Sequence, residues 1–254
     1  MEKGLVSIVT PMYKGGKFIQ ATINSVLNQT YKNWEMIIVD DCSPDNGEGC
    51  NIVKSNIDSR IKLIESKINK GSSGARNLAI KESKGEYIAF LDADDLWHKN
   101  FLEEQLQFIK EKDATIVFSS YRRIDEITEK EILSPFIVTQ KVNYKSLLKS
   151  CPIFPSTAIY DLKKTHKFYF NEKLGSMRDD YVYWLKMLKE IEYAYGNTKI
   201  LVDYRMRKTS VTADKKKVIY PQWNVLRNVE HLSIIKSIYY ICNWAIISYF
   251  KYKK

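Results

Sequence analysis

The sequence predicts an α/β fold: a Rossmann-like, mostly parallel sheet flanked by helices, followed by a C-terminal helical tail. Two observations support this prediction. Strand-like apolar runs alternate with helix-like segments through the first ninety-odd residues, which is typical of βαβ units. The chain also has 254 residues, 44% of them hydrophobic, which is enough to bury the core of such a fold.

The first part of the chain contains four strand-like runs and two helix-like segments. Polar residues follow three of these strands. Because ligands bind beyond the carboxyl ends of the strands in such sheets, we expect the polar groups to converge on one edge. The predicted strands cover residues 6–10, 36–39, 61–64 and 87–91, the helices lie at 19–27 and 73–83, and the strand-end groups are Thr10-Pro11, Asp40-Asp41 and Asp92-Ala93-Asp94.

The second part is less regular. Strands are predicted at residues 114–119, 157–160 and 200–204, a helix at 180–188, and a rigid proline-containing connector at 151–155.

The stretch 232–250 is apolar and aromatic, but Lys236 lies within it and lysines follow it. It is too interrupted for a membrane span, which needs about 20 mostly apolar residues. We expect an interfacial helix with a basic flank. The alternative is a helix docked on the body or on a second subunit, which leaves a homodimer open.

The segment Asp92-Ala93-Asp94-Asp95 ends the fourth predicted strand in three carboxylates. Residues i and i+2 of a strand share a face, so Asp92 and Asp94 are expected to point the same way. Mutually repelling carboxylates favour a hard cation between them, Mg²⁺ or Mn²⁺. The alternative is an acidic turn in which Asp95 caps a helix that starts near Leu96.

Composition narrows the classes of partner. The net charge is +10, but no nucleic-acid-binding motif is present, so a membrane surface and phosphorylated substrates are the expected partners. The four cysteines are scattered and no secretory leader is evident, which predicts a cytoplasmic protein with reduced thiols. Since GxGxxG and GxxxxGK[ST] are both absent, a bound nucleotide would depend on carboxylates, a metal and arginines.

Five motifs in order carry a resemblance over residues 6–212. They are VSIVTPMYKGGKFIQATINSVLNQTYKNWEMIIVDDCSPD, NKGSSGARNLAI, KGEYIAFLDADD, RDDYVYWLKML and YRMRKTSVT. Together they resemble the inverting family 2 glycosyltransferases of the GT-A fold, which move a sugar from a nucleotide-diphosphate donor to an acceptor hydroxyl. The last two motifs are similar to those of bacterial enzymes that build O-antigen or capsule repeat units on a lipid carrier.

The resemblance implies donor-binding roles at the strand ends. Asp41 would contact the nucleobase and ribose of the donor, and Asp40 would assist it or act as a structural cap. The backbone of Thr10 would also contact the nucleobase. Asp94 would bind the metal directly, and Asp92 would reach the ribose or a metal-bound water.

The resemblance also implies roles for three arginines and a base. Arg76 would pair with diphosphate oxygens, and Arg205 and Arg207 would stabilise the leaving nucleoside diphosphate. Asp180 would be the catalytic base. Asp179 is the alternative base, or a cap of the same helix.

The implied protein is a metal-dependent hexosyl- or N-acetylhexosaminyl-transferase using Mn²⁺ or Mg²⁺. Its donor would be a UDP-sugar, with dTDP open, and its acceptor a polyprenyl-diphosphate-linked saccharide at the inner face of the cell membrane. Residues 1–95 would form the nucleotide-sugar-binding half, residues 96–220 the acceptor-binding and catalytic half, and residues 221–254 the helical, membrane-surface segment.

Three other functions stay open at this point. A hydrolase with an aspartate nucleophile would need a DxDx[TV] motif, which is absent. A nucleotidyltransferase would need a glycine-rich N-terminal loop, also absent. A catalytically silent sugar- or lipid-binding protein would have no use for both Asp94 and Asp180.

Overall fold

The computed structural model describes residues 1–174, 177–207 and 216–252. Ten strands form one mixed sheet with helices on both faces. The strands are β1 (Glu2–Met12), β2 (Trp34–Asp40), β3 (Ile61–Glu65), β4 (Gly85–Phe90), β5 (Leu96–Trp97), β6 (Ile116–Asp125), β7 (Glu131–Phe136), β8 (Lys141–Val142), β9 (Ala158–Asp161) and β10 (Ala194–Met206). The helices are α1 (Ile19–Leu27), α2 (Glu48–Lys54), α3 (Gly71–Glu82), α4 (Phe101–Lys112), α5 (Tyr144–Lys149), α6 (Asp179–Glu190), α7 (Lys216–Asn224) and α8 (Ile234–Tyr252).

The first half of the chain forms the parallel part of the sheet. β1 lies between β2 and β4, with β3 outside β2, and all three pairings are parallel. Every residue of β2 and β4 is buried, as expected for strands covered on both faces. The predicted βαβ alternation is therefore confirmed. β1 continues to Met12, two residues beyond its predicted end, because Met12 still pairs with Asp40.

The second half adds antiparallel pairings that the sequence pattern did not reveal. β9 lies between β4 and β6 and is antiparallel to both, whereas β10 is parallel to β6. The alternative of a helix that starts near Leu96 is wrong: Leu96–Trp97 pairs with β10 as β5, and the next helix begins at Phe101. β10 thereby brings the segment after the acidic motif next to Arg205 and Arg207.

Two apolar layers fix the helices around the acidic strand end. α3 and α6 pack on the same face of the sheet, with Ala75 and Ala79 from α3 in one core with Trp184 from α6. The indole of Trp184 meets the ring of Phe90 edge-on at 5.7 Å. Sharing one layer places the start of α6 beside the start of α3. α1 and α4 cover the opposite face.

The C-terminal segment packs as a helical extension. α7 leads into a π-helical turn, Val225–Val229, and then into α8. In α8 the side chain of Ser237 is buried, and those of Tyr240 and Trp244 are half-buried. Within the described ranges, no helix is long and apolar enough to cross a membrane. The part of the YRMRKTSVT motif after Arg207, residues 208–212, lies outside the described residues.

Candidate active site

Asp95 is the structural anchor of the acidic segment. Its side chain is fully buried, and it accepts hydrogen bonds from the Ser156 hydroxyl (2.5 Å) and the Arg205 backbone N–H (3.1 Å). Burial and the negative charges of Asp94 and Asp92 raise the pKa of Asp95 well above its usual value. Asp95 therefore connects the acidic segment to β10 and to the 3-10 turn Pro155–Thr157. The alternative in which Asp95 caps a helix is wrong.

The two remaining carboxylates each meet an arginine. Asp92 Oδ1 lies 2.7 Å from Arg76 Nη2, and Asp94 Oδ2 lies 2.8 Å from Arg207 Nε. The Arg76 side chain is 7% exposed, whereas that of Arg207 is 39% exposed. Burial raises the pKa of Asp94, and Arg207 opposes that effect. Arg207 is thus the arginine with access to a ligand from solvent.

Arg76 joins the acidic segment to α6. Its Nη1 lies 3.3 Å from Asp179 Oδ2, which also accepts hydrogen bonds from the hydroxyls of Ser72 (3.0 Å) and Ser73 (2.9 Å). Burial alone would lower the pKa of Arg76, but Asp92 and Asp179 outweigh it and hold that pKa above its usual value. Asp179 is therefore held by three donors from α3 in a buried position.

Asp180 differs from its neighbour. It is half-buried, and its Oδ1 accepts a hydrogen bond from the Tyr181 backbone N–H at 2.7 Å. Burial, followed by the charge of Asp179, raises the pKa of Asp180, while Arg178 opposes the shift. A raised pKa makes the carboxylate a stronger proton acceptor. Asp179 is held by α3 whereas Asp180 is partly exposed, and the assignment of Asp180 as the base stays a prediction. The helix cap is Arg178 rather than Asp179.

The three residues predicted to bind the nucleobase and ribose of the donor lie in different environments. Asp40 accepts hydrogen bonds from the N–H and hydroxyl of Ser43 (3.1 and 2.6 Å), which is the structural-cap arrangement. Asp41 accepts from the Lys70 N–H at 2.8 Å, and burial raises its pKa. Thr10 is fully buried within β1, so a contact between its backbone and the nucleobase stays a prediction.

A cavity of about 520 Å³ opens between the end of β2 and α3. Its lining includes the polar residues Asp41 and Lys70 and the apolar or aromatic residues Val39, Leu78 and Tyr169. Asp41 is the one predicted donor-contact residue among its lining residues. The cavity is large enough to receive a planar ring and offers it a carboxylate acceptor.

Arg205 and Arg207 point to different partners. The guanidinium of Arg205 is buried, lies 2.5 Å from Glu129, and stacks 4.9 Å from the ring of Phe18. Its role in leaving-group binding stays a prediction, because in this arrangement its charge is already matched by Glu129. Arg207 reaches the acidic segment directly.

The residues fit an open divalent-metal site. Carboxylate oxygens are the ligands that Mg²⁺ and Mn²⁺ prefer, and such metals keep positions for phosphate oxygens and water. The side chain of Asp94 is 20% exposed, so its carboxylate is accessible from solvent. In the part of the chain that is described, no group of three or more Asp, Glu, His or Cys side chains could hold a metal by itself. Asp92 and Asp94 supply the carboxylate oxygens that would hold such a metal, and the metal site stays a prediction.

Sequence reasoning missed three serines that organise the site: Ser72, Ser73 and Ser156. Ser72 and Ser73 lie directly before Gly74-Ala75-Arg76 within a motif that was recognised, and Ser156 follows the proline connector. Their positions beside Arg76 and Pro155 were the available signal. The sequence does not reveal the hydrogen-bond partners of these serines, because Asp179 lies 107 residues from Ser72 along the chain.

Sequence comparisons identify relatives across the whole chain. Residues 7–171 match the family described as glycosyl transferase family 2. The chain is 36% identical to the Escherichia coli UDP-Glc:alpha-D-GlcNAc-diphosphoundecaprenol beta-1,3-glucosyltransferase WfgD, over 97% of this chain and 94% of that protein. It is 34% identical to the putative teichuronic acid biosynthesis glycosyltransferase TuaG of Bacillus subtilis, over 98% and 96% respectively.

Solved structures share the fold. S. aureus TarS in complex with UDP superposes with a TM-score of 0.68 at 21% identity, over 94% of this chain and 70% of that one. The mannosyltransferase PcManGT from Pyrobaculum calidifontis, in complex with GDP-Man and Mn²⁺, gives 0.68 at 16% identity, over 93% and 69%. These similarities confirm the predicted GT-A fold class.

Proposed function

The chain belongs to glycosyl transferase family 2, and on that premise we propose that it moves a sugar from a nucleoside-diphosphate donor to a hydroxyl of a lipid-linked saccharide, with inversion. The family that the motifs indicated is thereby confirmed. The proposal concerns the donor, the acceptor, the stereochemistry and the residues that act.

One observation carries the proposal: a continuous set of contacts links the acidic strand end to the start of α6. Arg76 bridges Asp92 and Asp179, at 2.7 and 3.3 Å. Asp180 follows Asp179 directly and has a raised pKa. These contacts join the proposed donor-binding edge to the proposed base, and a single-displacement transfer needs the two close together.

Asp180 is proposed to remove the proton of the acceptor hydroxyl. The acceptor oxygen then bonds to the anomeric carbon as the bond from that carbon to the diphosphate oxygen breaks. The electron pair of the broken bond leaves with the nucleoside diphosphate. Base assistance is needed because a sugar hydroxyl is a weak nucleophile at neutral pH. Attack opposite the leaving group inverts the anomeric centre.

Arg207 and Asp94 are proposed to act on the leaving group. Asp94, with Asp92 beside it, would hold Mn²⁺ or Mg²⁺, and such an ion would supply charge neutralisation for the leaving diphosphate. Arg207 would exchange Asp94 for a phosphate oxygen, since its side chain is the more exposed of the two that meet the carboxylates. Arg76 would stay between Asp92 and Asp179 and position α6.

We propose a UDP-sugar as the donor, with UDP-glucose as the first candidate, and a polyprenyl-diphosphate-linked saccharide as the acceptor. WfgD carries both substrates in its name and matches this chain over nearly its full length. The product would be a repeat unit of a surface polysaccharide such as O-antigen or capsule. Because such an acceptor is embedded in a bilayer, the enzyme would work as a peripheral protein on the inner face of the cell membrane.

The test is a panel of UDP-, dTDP- and GDP-sugars assayed for thermal stabilisation with Mn²⁺ or EDTA. Each sugar that stabilises the protein is then incubated with a lipid-diphosphate-linked GlcNAc acceptor, and nucleotide release is measured. We expect stabilisation and transfer with a UDP-sugar, both reduced by EDTA and by Asp94→Asn. Consumption of none of the nucleotide sugars would overturn the proposed function.

A further inference from the structure

The outward side of α8 is apolar although it faces solvent. Five side chains at helical spacing form this α8 outer face, and Ile235 is 81% exposed and Ile246 59% exposed. A surface helix normally places charged or polar residues on that side. The five residues of the α8 outer face are Ile235, Ile238, Tyr239, Cys242 and Ile246, all exposed.

The opposite side of α8 is already used to hold the helix on the body. Ser237 is buried there, and the half-buried indole of Trp244 lies 5.2 Å from the guanidinium of Arg178. On the helical wheel these residues lie about 180° from Ile235 and Ile246, at 100° per residue. The outer face therefore takes no part in docking α8 on the described part of the chain.

We infer that the α8 outer face is the surface by which this protein lies on an anionic lipid bilayer. The 19 residues of α8 give a helix about 28 Å long that can lie in the interface plane with its apolar side in the acyl boundary. This deepens the proposed function, which places the acceptor in a bilayer.

Basic side chains flank the α8 outer face. Lys149 of the adjacent α5 lies 5.9 Å from the ring of Tyr239, and Lys236 is exposed on α8 itself. Anionic headgroups complement these charges. A second copy of this chain would complement them less well, because a two-fold contact through the same face would bring the same lysines towards each other.

The position of α8 relative to the active site favours the same occupant. Trp244 contacts Arg178, and Arg178 directly precedes Asp179 and Asp180. The lipid-facing helix is therefore next to the helix that carries the candidate base. A chain bound to a bilayer through α8 would therefore hold the segment of the candidate base close to the helix that binds the lipid.

The test is co-sedimentation of the full chain with vesicles of phosphatidylcholine alone or mixed with phosphatidylglycerol. The variant is Ile235→Glu with Ile246→Glu. A matched control is Ile57→Glu with Ile68→Glu, which adds the same charge at two exposed isoleucines of the first half of the chain. A second control, Ile235→Leu with Ile246→Leu, keeps the face apolar. All variants are checked for folding by circular dichroism.

We expect wild type to bind the mixed vesicles, with weaker binding at high salt. The glutamate variant should bind about tenfold or more weakly, because two apolar side chains lose their burial in the bilayer, and both controls should bind like wild type. Equal binding by the glutamate variant would overturn the inference. The inference would also be overturned if analytical ultracentrifugation without vesicles showed that the wild type is a dimer and that the glutamate variant is a monomer. The readout needs no sugar transfer, so the inference and the proposed function fail separately.

Discussion

Replacing each of the two adjacent aspartates of α6 is expected to cause a different defect. Asp180→Asn removes the proposed base but keeps the volume of the side chain. Loss of a general base lowers turnover by about 10²–10⁴-fold. The stability should be unchanged or slightly higher, because burial raises the pKa of Asp180 and so disfavours the carboxylate that the amide replaces.

Asp179→Asn should act mainly on stability. The Asp179 carboxylate accepts hydrogen bonds from Ser72, Ser73 and Arg76 in a buried position. An amide in its place leaves Arg76 with one counter-ion and loses part of these charge-assisted bonds, which costs about 2–4 kcal/mol. At about 2–4 °C per kcal/mol for a chain of this size, the melting temperature should fall by roughly 5–15 °C.

The assay pairs two measurements on the same preparations. Nucleotide release is measured at saturating donor and acceptor at 20 °C, and unfolding is followed by heating and in urea. Glu190→Gln, at the exposed end of the same helix, is the control and should change neither quantity. A near-normal rate for Asp180→Asn would refute the base assignment. A wild-type melting temperature for Asp179→Asn would refute the buried contact network.

Three further predictions concern the metal, pH and the sheet. Arg207→Gln should strengthen Mn²⁺ binding in the absence of nucleotide, because Asp94 loses its ion-pair partner. Electron paramagnetic resonance of free Mn²⁺ would measure this affinity, and weaker binding by the variant would contradict the prediction. The transfer rate should fall as the pH drops through the pKa of Asp180, since the base must be deprotonated, and burial raises that pKa. A pH–rate profile whose acid limb lies at the pKa of an ordinary aspartate would count against the assignment of Asp180. Gly196→Ala should destabilise the fold by about 2 kcal/mol or more, because an added Cβ would come within 2.0 Å of the Thr139 carbonyl oxygen. Urea denaturation would measure the loss of stability, and an unchanged midpoint would contradict the prediction.

Local patterns were sufficient to predict the parallel half of the fold and the edge where the site forms. Apolar runs ending in Asp40 and Asp92 place these carboxylates at strand ends without any tertiary information. Thr10 was displaced from its expected strand end because β1 stays paired with β2 as far as Met12. Pairing, and not hydrophobicity alone, sets where a strand ends.

The rest of the site depends on contacts that no local pattern encodes. The Ser72–Asp179 and Arg205–Asp95 hydrogen bonds join residues more than one hundred positions apart. Asp179 and Asp180 look equivalent in sequence, and their neighbours on α3 make them different. The insertion of β9 between β4 and β6 was likewise invisible, since an apolar run does not state the direction of its pairing.

The most direct test of the proposed transfer is one reaction followed by NMR. UDP-glucose labelled with ¹³C at the anomeric carbon is mixed with a lipid-diphosphate-linked GlcNAc acceptor, Mn²⁺ and the full chain. The account predicts one UDP released for each sugar transferred, a product with the β configuration, and neither signal with Asp180→Asn. An α-configured product, or free glucose with no transfer to the acceptor, would contradict it.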